Sequence, residues 1–175
     1  SQIIFDSFAG LGLKAGSSLI TAEDLMRPGY IAGVGYGAAL PLLEEAGEMM
    51  GPIAFFENFI LIAVLLIAWA VILIAFFVLA VQLFVAILEF KLTTLAGFVL
   101  VPFALWNKTS FLAERVLGNV ITSGLKLMVL AIIIGIGSTL FSTITEAFAG
   151  TEDVTLAEVM GTVLAATVFL WMGVF

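Results

Sequence analysis

The chain has 175 residues, 63% of them hydrophobic and only 11% charged, and its 13 Asp and Glu against six Lys and Arg give a net charge of −7. A soluble protein of this length would carry apolar surface it could not cover, so lipid is the natural solvent, as a mean hydropathy of +1.27 also indicates. The absence of cysteine removes disulfides, thiolate nucleophiles and zinc–thiolate sites, and the absence of histidine removes the imidazole base.

Asp6, Asp24 and Asp153 are the only aspartates and none lies in an apolar tract, so intramembrane aspartyl proteolysis is excluded as well. The expectation is a protein that is not an enzyme, with no catalytic residues, no metal and no cofactor.

Residues 1–57 read as a non-spanning, interfacial helical region. Ile4, Phe8, Leu11, Ala15 and Leu19 recur at helical spacing with Asp6 and Lys14 off that face, which predicts an amphipathic helix. Thr21-Ala22-Glu23-Asp24 predicts a capping box opening a short helix that Pro28-Gly29 closes. Pro41 is placed to start another helix carrying Glu44, Glu45 and Glu48, with Gly51-Pro52 as its stop. Val34-Gly35-Tyr36-Gly37 matches part of a potassium-channel filter, but Gly33 stands where that filter needs Thr and no span lies upstream. Gly33 and Gly37 are read instead as a small-xxx-small helix-packing face.

Residues 58–175 form the transmembrane domain. Between Glu57 and Glu89 the only polar side chains are Asn58 and Gln82, and a bilayer core needs ~20 apolar residues in helix, so a span over about 59–88 crosses with tilt or projects beyond the membrane. Leu92–Trp106 follows Glu89 and Lys91, holds Gly97 and Pro102, and rises only ~22 Å against a ~30 Å core. It is expected to be a broken or re-entrant segment, with Gly97, Pro102, Trp106 and Asn107 at the break and Trp106 at the interface.

Two further spans are expected over about 120–144 and 159–175. Gly135, Ser138 and Ser142 give the first of these a small face for helix contact. Lys91, Lys108 and Arg115 assign the 90–119 region to the cytoplasm and the acidic 145–158 loop to the other side, with residues 1–57 outside. The chain starts at Ser1 and stops in the apolar run ending at Phe175, so it is expected to be part of a longer or processed polypeptide. The fold class is all-α: a polytopic helical membrane protein with an amphipathic helical N-terminal region and a broken or re-entrant segment.

Lys108, Arg115 and Lys126 fall within about 20° of one another at ~100° per residue, and Asn119 and Thr122 share the stripe. Two readings stand side by side: a strip lining a polar path for a polyanion, or a set of anchors snorkelling to anionic phospholipid headgroups. No glycine spacing matches a dinucleotide or Walker loop, so energy for any transport has to come from partner ATPases.

Lys91–Gly137, and within it Pro102-Phe103-Ala104-Leu105-Trp106, Asn107-Lys108-Thr109, Ala113-Glu114-Arg115 and the Gly118/Gly124 helix, resembles the TrbL family of conjugative type IV secretion systems. The N-terminal Phe8, Gly12-Leu13, Ala15-Gly16 and Leu25, Pro28-Gly29 pattern is similar to that family too, so the resemblance covers essentially the whole chain. It implies a multi-pass subunit of the bacterial inner membrane, in a homo-oligomeric ring, by family resemblance a pentamer. The partners it implies are other inner-membrane and periplasmic secretion subunits, pilus or pilus-tip subunits and transient transfer DNA. A scaffold for pilus growth without a conduit role is the alternative. A small-solute transporter is a third reading, which predicts a second broken segment that the sequence does not show.

Overall fold

The computed structural model describes residues 2–16, 20–51, 54–105, 110–150 and 155–174, with side chains throughout except at 54, 104, 105 and 145–150. The structure is all-α, with no strand among the described residues. The helices are α1 (Gln2–Ala15), α2 (Ala22–Leu25), α3 (Pro28–Glu48), α4 (Ala54–Glu57), α5 (Phe59–Leu100), α6 (Ser110–Gly150) and α7 (Leu156–Val174), with a 3₁₀ turn over Val101–Leu105. Among the described residues three stretches are long and apolar enough to cross a membrane: Phe59–Phe103, Ser110–Ile144 and Leu156–Val174.

Helices α5 and α6 have 42 and 41 residues. At 1.5 Å per residue each rises about 60 Å, twice a ~30 Å hydrocarbon core. The expected separation of the first span from Leu92–Trp106 is therefore corrected: α5 runs through Glu89 and Lys91 without a break. Thr93 and Thr94 donate to the carbonyls of Glu89 and Phe90 at 2.6 and 2.7 Å, and Lys126 of α6 neutralises Glu89, so the charges sit in regular helix. The helix yields only at Pro102, which has no N–H to offer the carbonyl of Phe98. Gly97 lies inside α5, where a Cβ would stand 3.4 Å from Val116 of α6.

The core is organised around three rings. Phe76 of α5, Phe141 of α6 and Phe169 of α7 lie with centroids 5.2–5.5 Å apart, in edge-on or tilted contact. Two glycines let neighbouring helices close on them: Gly35 of α3 faces the Cβ and ring of Phe76, and Gly137 of α6 lies under the ring of Phe169. Phe76 is completely buried.

Helix α3 is one continuous 21-residue element with Pro28 in its first turn. The expected helix start at Pro41 is corrected, because Pro41 lies inside α3; α2 does end ahead of Pro28, at Leu25, and Pro28 also opens α3. Ile31, Gly35, Ala39, Leu42 and Ala46 form its buried stripe. Met26 adjoins Phe90 while Gly35 adjoins Phe76, so α3 runs antiparallel to α5. Pairs at Phe169/Phe76 and Gly173/Leu79 make α7 parallel to α5.

The N-terminal helix forms as the periodicity predicts, with its buried face shifted. Phe5, Ala9, Gly12 and Leu13 are buried, whereas Ile4 and Leu11 are exposed. The small residues decide this, since a Cβ on Gly12 would stand 2.5 Å from the carbonyl oxygen of Met128 and one on Gly16 3.3 Å from the Cα of Gly135. The expected capping box is present: Thr21 caps α2 and Asp24 closes the box. Leu19 and Pro52 lie outside the described residues.

Substituting Gly35 by Val is expected to lower the thermal stability of the detergent-solubilised protein, because the obstructing atoms include the fixed Cβ of Phe76. Gly33→Val, where nothing stands within 4 Å, is the control and is expected to change the melting point little. Phe76→Ala should cost roughly 3–5 kcal/mol by the general cost of large-to-small core substitution.

Candidate functional site: a polar seam between two long helices

Where α5 and α6 leave the layer that α3 and α7 flank, a polar seam crosses between them. Lys126 Nζ lies 2.9 Å from Glu89 Oε2, and the Ser123 hydroxyl donates to Glu89 Oε1 at 3.5 Å. Ser123 is buried, while the Lys126 and Glu89 side chains stay about half exposed. An exposed ion pair contributes only ~0–1 kcal/mol, so the seam sets the axial register of two apolar helices more than it strengthens their contact. The Phe76–Phe141 contact fixes these helices at one end of their interface, and the charge pair, which has one good register, fixes them at the other.

The sequence-predicted stripe divides on inspection. Arg115, Asn119 and Thr122 are exposed on α6, and the Thr122 hydroxyl donates back to the Gly118 carbonyl at 3.0 Å. Lys126 is committed to Glu89, whereas Arg115 forms no ion pair with another described residue. Lys108, Trp106 and Asn107 lie outside the described residues, as do Thr109, Thr151, Glu152 and Asp153. Pro102 sits in the exposed 3₁₀ turn.

The small residues are placed as follows. Gly135 packs against Gly16 of α1. Ser138 and Ser142 donate to the carbonyls of Gly135 and Thr139 at 2.9 and 2.8 Å, within their own helix. Gly33 and Gly37 are exposed on α3, and a Cβ on either would meet no described residue within 4 Å, whereas one on Gly35 between them would meet Phe76.

Two open grooves border the hairpin. One, of about 490 Å³, has Gln82 and Lys126 as its polar lining among Val85, Val129, Ile133 and Met172. The other, of about 480 Å³, is framed by Ile4 of α1, Gly97, Phe98 and Leu117, with Glu114 at its edge. No group of three metal-ligating side chains occurs among the described residues.

Sequence reasoning missed Glu89 and Ser123 as partners of Lys126. The available signal was the opposite charge at matching ends of two apolar tracts, Glu89 after the first and Lys126 at the start of the second. It missed Gly35, Gly12 and Gly124 as close-approach positions, because a glycine's neighbour is set by tertiary register. A Cβ on Gly124 would stand 2.8 Å from the Phe8 ring.

Long helices apolar on their outer faces, glycine-mediated contacts and, among the described residues, a single inter-helical charge pair define a multi-pass helical membrane protein. The family model described as TrbL/VirB6 plasmid conjugal transfer protein matches residues 1–175, and the chain belongs to that family. It is thereby a component of conjugal transfer through type IV secretion, in a family of structural conjugation proteins. No curated protein and no solved structure matches the chain.

Neutralising either half of the pair, by Glu89→Gln or Lys126→Met, is expected to leave an uncompensated charge beside the apolar layer and to lower the melting point. The double variant should recover much of the loss, a coupling readable in a double-mutant cycle. On α2 the Thr21 hydroxyl and then its backbone N–H, at 2.6 and 3.0 Å, with the nearby Arg27, hold the Asp24 carboxyl below its ordinary value. A carboxyl depressed by folding stabilises the fold above its ordinary titration range, and the contribution is lost as pH falls through the depressed value. Amide exchange at residues 22–27 should therefore be unchanged from pH 7 to 5, after correction for intrinsic exchange, and lose protection on further acidification. In Thr21→Val the protection should already be low at pH 7.

Proposed function

We propose that this chain is the oligomeric core subunit of a conjugative type IV secretion channel in the bacterial inner membrane. It sits in a homo-oligomeric ring, a pentamer by the family resemblance, touching transfer DNA in transit and supporting pilus assembly above it. The observation that carries the conduit role is the exposed face Arg115–Asn119–Thr122 on α6, projecting past the flanked layer, with an arginine that no described carboxylate neutralises. Phosphate contact needs a cation and hydrogen-bond donors on one face; this face offers Arg115 and the Asn119 amide, while the Thr122 hydroxyl donates to the Gly118 carbonyl. Other secretion subunits, pilus or pilus-tip subunits and surrounding phospholipid are the remaining partners under this reading.

A second reading, a scaffold for pilus growth with no conduit role, is favoured by one observation. Lys126, the deepest cation of the stripe, is already paired with Glu89 and offers a polyanion little. Headgroup anchoring would then account for Arg115.

Photo-crosslinking from a probe at position 115 to labelled transfer DNA in conjugating cells separates the two. The conduit reading predicts a crosslink that requires active transfer, and Arg115→Gln, which removes one cation from every copy in the ring, lowering DNA transfer by at least roughly tenfold while pili still form. No crosslink to DNA at 115, with the same probe at other positions crosslinking to protein partners but not to DNA, sinks the conduit reading and leaves the scaffold.

A further inference from the structure

We propose that α3 is a fourth membrane-crossing helix, antiparallel to α5, with its outer face against lipid. It is less apolar than the three spans above because of its glycines, tyrosines and terminal glutamates, and the sequence reading left residues 1–57 on one side of the membrane. Three observations carry the proposal.

The first is depth. Gly35 abuts Phe76, and Ala32 and Tyr36 border one groove with Leu73, Ile74 and Phe77, all in the charge-free half of α5. α5 cannot carry these residues through hydrocarbon without carrying α3 at the same depth. The second is length and surface. The 21 residues of α3 rise about 31 Å, close to a ~30 Å core. No charge occurs from Pro28 to Leu43, and the face turned away from α5 presents Tyr30, Gly33 and Gly37, with Tyr36 exposed at its flank. Arg27 and Glu44 bracket this stretch.

The third is the division of charge. If α3 crosses, all six basic residues, Lys14, Arg27, Lys91, Lys108, Arg115 and Lys126, belong by chain order and packing to the hairpin side. None lies between Pro28 and Phe90 or beyond Leu127, so the opposite side holds only acids, among them Glu44, Glu48, Glu57 and Glu158. Membrane proteins keep Lys and Arg on the cytoplasmic side, and this arrangement satisfies that bias without exception, whereas residues 1–57 outside would strand Lys14 and Arg27. Lys14 is exposed on α1 about two turns past the level of Lys126 and reaches the same boundary by its flexible stem.

The N-terminus is placed by the same geometry. α1 runs parallel to α6 from Phe8 beside Gly124 to Gly16 beside Gly135, and the chain is back beside Phe5 and Phe90 at Met26. It therefore enters and leaves by the hairpin face. The re-entrant element is α1 with α2, and four crossings follow, α3, α5, α6 and α7.

The chain has no cysteine, so single-cysteine labelling with a membrane-impermeant maleimide is unambiguous. Glu23→Cys and Arg115→Cys are expected to label in inverted inner-membrane vesicles, and Glu48→Cys and Thr155→Cys in spheroplasts. Glu23→Cys and Glu48→Cys labelling from the same side would overturn the proposal. So would Glu48→Cys reacting only after detergent while Thr155→Cys reacts without it, since that places the end of α3 inside a protein contact or the bilayer.

Discussion

The contact among Phe76, Phe141 and Phe169 is the constraint on which the rest of the structure depends. Each ring comes from a different long helix, and the two glycines that admit them, Gly35 and Gly137, bring α3 onto the first ring and set α7 close on α6. In lipid no hydrophobic effect drives helix against helix, so association has to come from close packing and a few polar contacts. Large rings filling the notches left by glycine supply that packing, and they do so at one level of the molecule. Four helices are thereby held in a layer whose thickness suits a bilayer, with α3 and α7 reaching about 30 Å along the much longer α5 and α6.

The length mismatch follows from that layer. Since α3 and α7 flank only part of α5 and α6, the two long helices run on past them as a hairpin, and the Glu89–Lys126 pair marks where it leaves. The hairpin is not bare: the start of α1 lies against it, with Phe5 in edge-on contact with Phe90 at 6.1 Å. Leu92, Leu95, Phe98 and Val99 nevertheless remain exposed on its α5 arm. Under the proposed function a ring of copies would cover such a surface and carry the Arg115 face of each copy on the same side of the membrane.

Much of the fold is legible in the residues. The uncharged run from Phe59 to Val81 announces a span, and the capping box at Thr21–Asp24 is local chemistry that any context preserves. What was not legible has a common cause. Glu89 and Lys91 look like the end of a helix because charge usually marks the edge of a span, but a charge neutralised from another helix can stay in regular helix, and that partner lies 37 positions away. Pro41 looks like a helix start, yet α3 absorbs it. In the amphipathic helix the large residues Ile4 and Leu11 suggest a buried face in water, while in lipid the small residues Ala9, Gly12 and Gly16 take that face. The candidate stripe was partly legible: its cations share a helical face, but periodicity does not reveal that Lys126 is already committed and Arg115 is not.

Antiparallel docking of α3 on the charge-free half of α5 is the central claim, because the shared layer, the division of charge and the re-entrant N-terminus all rest on it. Paired cysteines in native membranes test it directly, treated with a short bifunctional thiosulfonate: Tyr36→Cys with Phe77→Cys, which border one groove, and Tyr36→Cys with Val85→Cys, two turns further along α5. The account predicts efficient crosslinking of the first pair and little of the second. Crosslinking of the second in preference to the first, or of neither, would contradict it.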